Sequence, residues 1–247
     1  NNRATETTGR NIARSLIANA VDRVFGIPRA HMYDFHDALQ QEGARLRFIH
    51  TRHEQGSGYM AYGYAKSTGR PGVYTVVPGP GVLNSGAALC TAYGANAPVM
   101  CVTGNIMSHL IGRGRGQLHE LPDQLALLRG LTKAAERIDH PGAASRTMAE
   151  LFTTMLSGRQ GPVAVEAPWD VFGQTGGEEE PWVGAPYAPP EPDPDAVASA
   201  AKLIAAARNP LIMVGGGAVE AGGELAELAR RLQAPVAAHR SGKGVIS

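Results

Sequence analysis

From Pro71 to Gly112 the chain runs 42 residues without one Asp, Glu, Lys or Arg. Seven glycines and four prolines break that stretch, and it holds no run of about 20 apolar residues, so it cannot cross a bilayer as a helix. It reads as buried core. Val73 to Val77 and Val99 to Thr103 are nearly pure apolar runs of strand length. Between them lie Pro78-Gly79-Pro80-Gly81 and a small-residue helical stretch from Ser85 to Ala95. Strands apolar on both faces belong to parallel sheets covered by helices on both sides.

The rest of the chain extends the same rhythm. Ile12, Leu16 and Ile17, with Ala13 and Ala20, have helical spacing, and Thr7 or Thr8 can cap the start. Val24 to Ile27 predicts a strand stopping at Pro28, Met32 to Leu39 a helix, and Arg47 to Thr51 a strand. Gly56 to Ala65 predicts a helix after His53-Glu54-Gln55. Gly104 to Gly130 reads as loop-rich, with Arg113 and Arg115 interleaved among Gly112, Gly114 and Gly116. Leu131 to Ile138 is a weaker strand, Ala144 to Leu156 a helix and Pro162 to Glu166 a last buried strand. The expected fold over residues 1–172 is α/β, a parallel six-stranded sheet flanked by helices on both faces. Positions 173 to 195 then hold six of the 17 prolines and six acids without a Lys or Arg, so residues 173–194 are expected to be an extended linker. Beyond it the pattern restarts with helix Asp195 to Ala206, strand Leu211 to Val214, helix Gly223 to Leu232 and strand Pro235 to Ala238. Two strands and two helices cannot close a core, so residues 195–247 read as the beginning of a second α/β domain, cut short.

Composition excludes several classes. Hydrophobic residues at 43% against 18% charged leave ample material for a core, which argues against disorder. Lys plus Arg is 23 against 22 acids, a balance that gives no footprint for nucleic acid or an acidic membrane surface. Cys90 and Cys101 form no CxxC pair and are expected to be buried free thiols in a reducing compartment. With no apolar run in the first 20 residues to act as a signal peptide, the expected location is cytoplasmic.

Ligands of open parallel sheets bind beyond the carboxyl ends of the strands. Ile27-Pro28, His53-Glu54-Gln55 and Pro78 to Asn84 are expected there. Glu54 is the one acid between Glu42 and Glu120, and Gly56, Gly58 and Ala61 leave room for close approach. In so apolar a setting its carboxyl is expected to have a raised pKa, suited to exchanging a proton with a ligand nitrogen. The alternative is a helix N-terminal Glu that offsets the dipole. Gly79-Pro80-Gly81 either offers backbone to a planar ligand or is only a turn, and it is neither GxGxxG nor GxxxxGK[ST]. Gly215-Gly216-Gly217 looks like a dinucleotide fingerprint, but Glu220 stands at the third glycine position and would repel a pyrophosphate, which favours a packing turn. Arg113 and Arg115 could hold an anion or line a solvated loop. His119-Glu120 could supply acid–base chemistry or be structural.

The ordered series Val24-Phe25-Gly26-Ile27-Pro28, His53-Glu54-Gln55 with Gly63-Tyr64-Ala65, Thr68-Gly69-Arg70-Pro71-Gly72, Gly79-Pro80-Gly81 with Asn84, His109-Leu110-Ile111-Gly112, Glu120, Thr132-Lys133 and Gly161-Pro162-Val163 covers nearly all of residues 8–172. In order and spacing it resembles the thiamin-diphosphate-dependent enzymes of the acetolactate synthase and 2-oxo-acid decarboxylase family. Pro210 to Gly217 and Ala234 through Gly244 resemble the start of that family's central domain.

The resemblance implies that residues 1–172 bind the cofactor's aminopyrimidine ring. Glu54 would hydrogen-bond the ring nitrogen and promote the imino tautomer that deprotonates the thiazolium C2. Pro28, Val77, Gly79, Pro80 and Asn84 would contact the cofactor, and Gln117 and His119 on the Gly112–Glu120 loop would face the substrate, a small 2-oxo acid. His119 would join Glu54 in the chemistry. The family's Gly-Asp-Gly metal motif does not occur here, so Mg²⁺ ligands are expected in a domain absent from this chain, and no metal ligand within it. FAD would be a further cofactor that no feature of the sequence supports. A homodimer or homotetramer through this domain is implied, and the chain is expected to be the amino-terminal part of a longer enzyme, inactive alone. Arg29 stands where the family often has Gly, Pro78 where it often has Ser or Thr, and Leu118-His119-Glu120 where synthases read Phe-Gln-Glu. The competing readings are a plain 2-oxo-acid decarboxylase, a catalytically inactive relative, and a dinucleotide-binding α/β protein.

Overall fold

A computed structural model describes residues 6–176 and 180–246. The linker positions 177–179, residues 1–5 and Ser247 lie outside the described residues. The chain divides into two compact units, Asn1–Ala188 and Pro189–Ser247.

The first unit runs α1 (Thr8–Ala18), β1 (Arg23–Gly26), α2 (Tyr33–Gln41), β2 (Arg47–His50), α3 (Glu54–Thr68), β3 (Gly72–Val76), α4 (Pro80–Gly94) and β4 (Val99–Asn105). It continues with α5 (Gln124–Leu131), β5 (Ala134–Arg137), α6 (Ala144–Leu156), β6 (Val163–Pro168) and the short α7 (Trp169–Phe172). All six strands are parallel, in the order β2-β1-β3-β4-β6-β5. Successive strand residues point to opposite faces, and the core follows that alternation. Val24, Val73, Met100 and Val163 join the α1, α2 and α6 side chains, while Phe25, Tyr74, Cys101 and Ala164 join those of α3, α4 and α5. The central strands β3, β4 and β6 are buried throughout; the edge strands β2 and β5 are not, because each has a neighbour on one side only. The direction of chain progression reverses between β1 and β3, which opens a crevice at the carboxyl ends of those strands.

Three expectations need correction. The stretch expected as loop up to Gly130 contains α5, whose first turn is capped by the Asp123 carboxylate accepting from Ala126 N–H at 2.9 Å. Helix α4 starts at Pro80 rather than Ser85, since proline is tolerated at a first helical position where no N–H is needed. Cys101 is buried, but Cys90 is exposed on the outer side of α4. Both thiols are free, and burial raises that of Cys101 to about 12.

The described part of the segment after Phe172 carries no helix or long strand, yet its backbone is tethered. The N–H groups of Trp182, Ala185 and Tyr187 donate to Ser145, Thr153 and Ser157, a hydroxyl row along α6 and its C-terminus, and Gly184 N–H donates to Asn19.

The second unit contains α8 (Pro194–Ala205), β7 (Ile212–Val214), α9 (Gly222–Leu232) and β8 (Val236–Ala238), with β7 and β8 parallel. Gly215 to Gly217 lead into a 3-10 turn, and Gly216 N–H donates to Ser241 Oγ at 3.1 Å. Neither α8 nor α9 buries a side chain completely. Among the described residues no helix is long and apolar enough to cross a membrane.

Candidate functional site

Glu54 and Asn84 come together although 30 residues separate them. Glu54 is the first residue of α3, and His53 caps that helix by accepting the Gln55 N–H at 3.1 Å. Asn84 is the fifth residue of α4, at the start of its second turn. The two helices approach closely because Gly58 has no side chain: a Cβ there would sit 2.6 Å from that of Ala88. Asn84 Nδ2 donates to Glu54 Oε2 at 3.2 Å. Among the described residues Glu54 Oε1 has no partner, and Glu54 is half-buried, not enclosed in an apolar pocket. The carboxylate thus has one oxygen fixed by an amide and one free, at a helix N-terminus that favours its charge.

The Gly79 turn lies between β3 and α4. Val77 and Gly79 are buried, whereas Pro28 and Pro80 are exposed. Gly79 has φ +60° and ψ −109°, a conformation that essentially only glycine adopts. A Cβ there would lie 2.5 Å from the His119 carbonyl oxygen. The close approach expected of a ligand at Gly79 is therefore made, on the Cβ side, by the chain's own loop. Its two backbone groups are also committed: its carbonyl accepts from Leu83 N–H at 3.0 Å, and its N–H donates to Gln124 Oε1 at 2.8 Å.

The Gly112–Glu120 loop turns through left-handed conformations at Gly112, Gly114, Gly116 and His119. Glu120 is turned inward to the loop itself, accepting from the N–H groups of Gln117 and Arg115 at 2.8 and 3.3 Å. Gln117 is exposed. His119 Nδ1 lies 3.3 Å from Nδ1 of His31, which is buried and meets Trp169 edge-on with ring centres 4.8 Å apart. Desolvation lowers the pKa of both imidazoles. The His119 ring lowers that of His31 further, and the Arg29 guanidinium that of His119. Both rings are therefore neutral at pH 7, with one nitrogen of the contact donating and the other accepting.

His31 and a buried polar group behind the turn were not singled out from the sequence. Glu166 on β6 and Gln124 at the start of α5 are buried and linked by a 2.7 Å hydrogen bond. An acid in an otherwise apolar strand was the available signal for Glu166. Among the described residues no group of three or more His, Cys, Asp or Glu could hold a metal ion.

Comparison with known proteins bears on this geometry. Residues 6–127 match the family described as thiamine pyrophosphate enzyme, N-terminal TPP binding domain, and residues 197–247 match thiamine pyrophosphate enzyme, central domain. A Pseudomonas aeruginosa protein named "Probable 2-ketoarginine decarboxylase" is 37% identical over 98% of the chain, which spans 43% of that relative. Acetolactate synthase of Arthrospira platensis is 33% identical over 93% of the chain, and an acetolactate synthase large subunit of Mycobacterium tuberculosis 37% identical over 93%. The chain spans 41% and 37% of those two proteins.

Proposed function

The chain belongs to the thiamine pyrophosphate enzymes, and from that premise we propose that it supplies the pyrimidine-binding half of an active centre that decarboxylates a small 2-oxo acid. The observation that carries the proposal is the Glu54–Asn84 pair at the carboxyl edge of the sheet, with Glu54 Oε1 left free. When bound, thiamin diphosphate supplies a nucleophilic carbon and an electron sink for decarboxylation. The donor set suits its ring: a carboxylate for a ring nitrogen and an amide that holds that carboxylate in place.

In this reading Asn84 fixes the Glu54 carboxylate so that Oε1 holds a proton shared with the ring nitrogen. The exposed Pro28 and Pro80 line the approach, with Val77 and Gly79 buried behind them. His119, neutral at pH 7, accepts or returns a proton at its free nitrogen, and His31 holds the ring in place. Mg²⁺ is assigned to residues outside this chain, and no feature here calls for FAD. The outward faces of α3 and α4 carry exposed Tyr59, Met60, Leu83 and Tyr93. That apolar face is where a second copy would dock to form a homodimer, or a homotetramer by repetition. A cytoplasmic setting suits the two free thiols.

The matches to acetolactate synthases support addition of the decarboxylated fragment to a second 2-oxo acid. His119, in place of the synthases' Gln, supports protonation to an aldehyde instead. Incubation of the intact protein with pyruvate, thiamin diphosphate and Mg²⁺ separates these outcomes. Acetolactate indicates carboligation, acetaldehyde indicates plain decarboxylation, and no consumption of pyruvate or of longer 2-oxo acids would overturn the proposal.

A further inference from the structure

Behind the Gly79 turn lies a charged cluster that the chemistry above does not use. Glu166 is fully buried on β6. Its Oε1 accepts from Arg137 Nε at 2.6 Å and from Asn105 Nδ2 at 3.1 Å, and its Oε2 accepts from Gln124 Nε2 at 2.7 Å. Gln124 Nε2 also donates to the Gly104 carbonyl at 2.8 Å, while its Oε1 accepts the Gly79 N–H at 2.8 Å. Burying a carboxylate is costly even when it is paired, and a well-packed apolar group usually serves stability as well.

The arrangement does something an apolar group cannot. The two ends of a glutamine amide have nearly the same shape and opposite hydrogen-bonding character. Glu166 and the Gly104 carbonyl both require a donor, so they hold Nε2 toward themselves and leave Oε1 for Gly79. The Gly79 carbonyl in turn accepts from Leu83 in the first turn of α4, one residue before the Asn84 that holds Glu54.

We propose that Glu166 and Gln124 are positioning residues that orient the Gly79 turn, and through it the start of α4, for cofactor binding. The proposal rests on the cofactor reading above.

Replacing Glu166 by Gln tests it sharply. Arg137 and Asn105 would keep Oε1 of the new amide, leaving its NH₂ against the NH₂ of Gln124. Gln124 must then flip and turn its own NH₂ toward the Gly79 N–H. In the intact protein, Glu166→Gln should weaken thiamin diphosphate binding, measured by calorimetry with Mg²⁺, about tenfold or more. It should also speed hydrogen exchange at the Gly79 amide by about tenfold or more, while turnover at saturating cofactor stays within about threefold of wild type. If Glu166→Gln does not fold, Gln124→Met leaves Glu166 paired with Arg137 and Asn105 and should show the same losses. Unchanged affinity and unchanged Gly79 exchange in a folded variant overturn the proposal. Failure of the wild-type protein to bind thiamin diphosphate overturns the cofactor reading itself and this proposal with it; that failure is distinguishable because it needs no variant.

Discussion

Replacing Gly79 by Ala puts the geometry of the turn to a direct test. Its φ of +60° with ψ −109° is a region that costs a residue with a Cβ on the order of 1–3 kcal/mol. The new methyl would also lie 2.5 Å from the His119 carbonyl oxygen. That oxygen is backbone and cannot rotate away, so either the turn or the Gly112–Glu120 loop must move. Relief by loop movement breaks the His31–His119 contact; relief by turn movement weakens the bond to Gln124. Overpacking of this kind adds about 1–3 kcal/mol, and the two terms overlap, so the expected destabilisation is about 2–4 kcal/mol. Urea unfolding reads it as a lower midpoint at an unchanged slope. Gly130→Ala is the control. It lies in α5 with nothing within 4 Å of a new Cβ and should be neutral or stabilising by about 0.5 kcal/mol. A Gly79→Ala protein within about 0.5 kcal/mol of wild type would show that the turn and the loop accommodate a side chain without strain.

His36, packed against Phe35 and Phe48, has its pKa lowered by burial to about 4. The folded protein then resists a proton that the unfolded chain accepts below about 6.5, so stability falls as pH drops from about 6.5 toward 4; at about 1.4 kcal/mol per pKa unit the loss is about 3 kcal/mol. Urea titrations across that range should show a clearly shallower loss in His36→Leu, and equal slopes would contradict the assignment. Leu83→Glu, on the exposed face of α4, should turn the proposed dimer into a monomer in light scattering while leaving its helical signal intact; a dimer of unchanged mass would rule out this face as the interface. His119→Ala should change turnover or the ratio of acetolactate to acetaldehyde by about tenfold with cofactor affinity within about twofold, and an unchanged product ratio and rate would remove His119 from the chemistry.

Much of the architecture was readable in the chain because the apolar strands are short, bounded by Gly and Pro, and separated by helices of small residues. The helix at 144–156 emerged with both ends as expected. Helix α5 was hidden by the glycines before it, although Asp123 ahead of Leu125 and Leu128 is a recognisable cap and apolar spacing. Local reading placed Glu54 and Gly79 near strand ends, since each follows a strand within a few residues; Asn84 comes later, in the second turn of α4. The order of the strands and the contacts it makes could not be read locally. His31 meets His119 across 88 residues and Gln124 meets Glu166 across 42, and no periodicity encodes such pairs. Cys90 reads as buried because α4 is apolar around much of its circumference, but one face of that helix is uncovered in the single chain and Cys90 lies there.

In the proposed function, proton exchange between Glu54 and the cofactor ring activates the thiazolium carbon. Its most direct test is the rate at which the C2 proton of bound thiamin diphosphate is replaced by deuterium, followed by NMR in the intact protein with Mg²⁺. Glu54→Gln keeps the size and the contact with Asn84 but cannot carry the proton. Exchange in the variant should be slower by about 100-fold or more, with cofactor affinity changed far less. Exchange at the wild-type rate with the cofactor demonstrably bound would contradict the account.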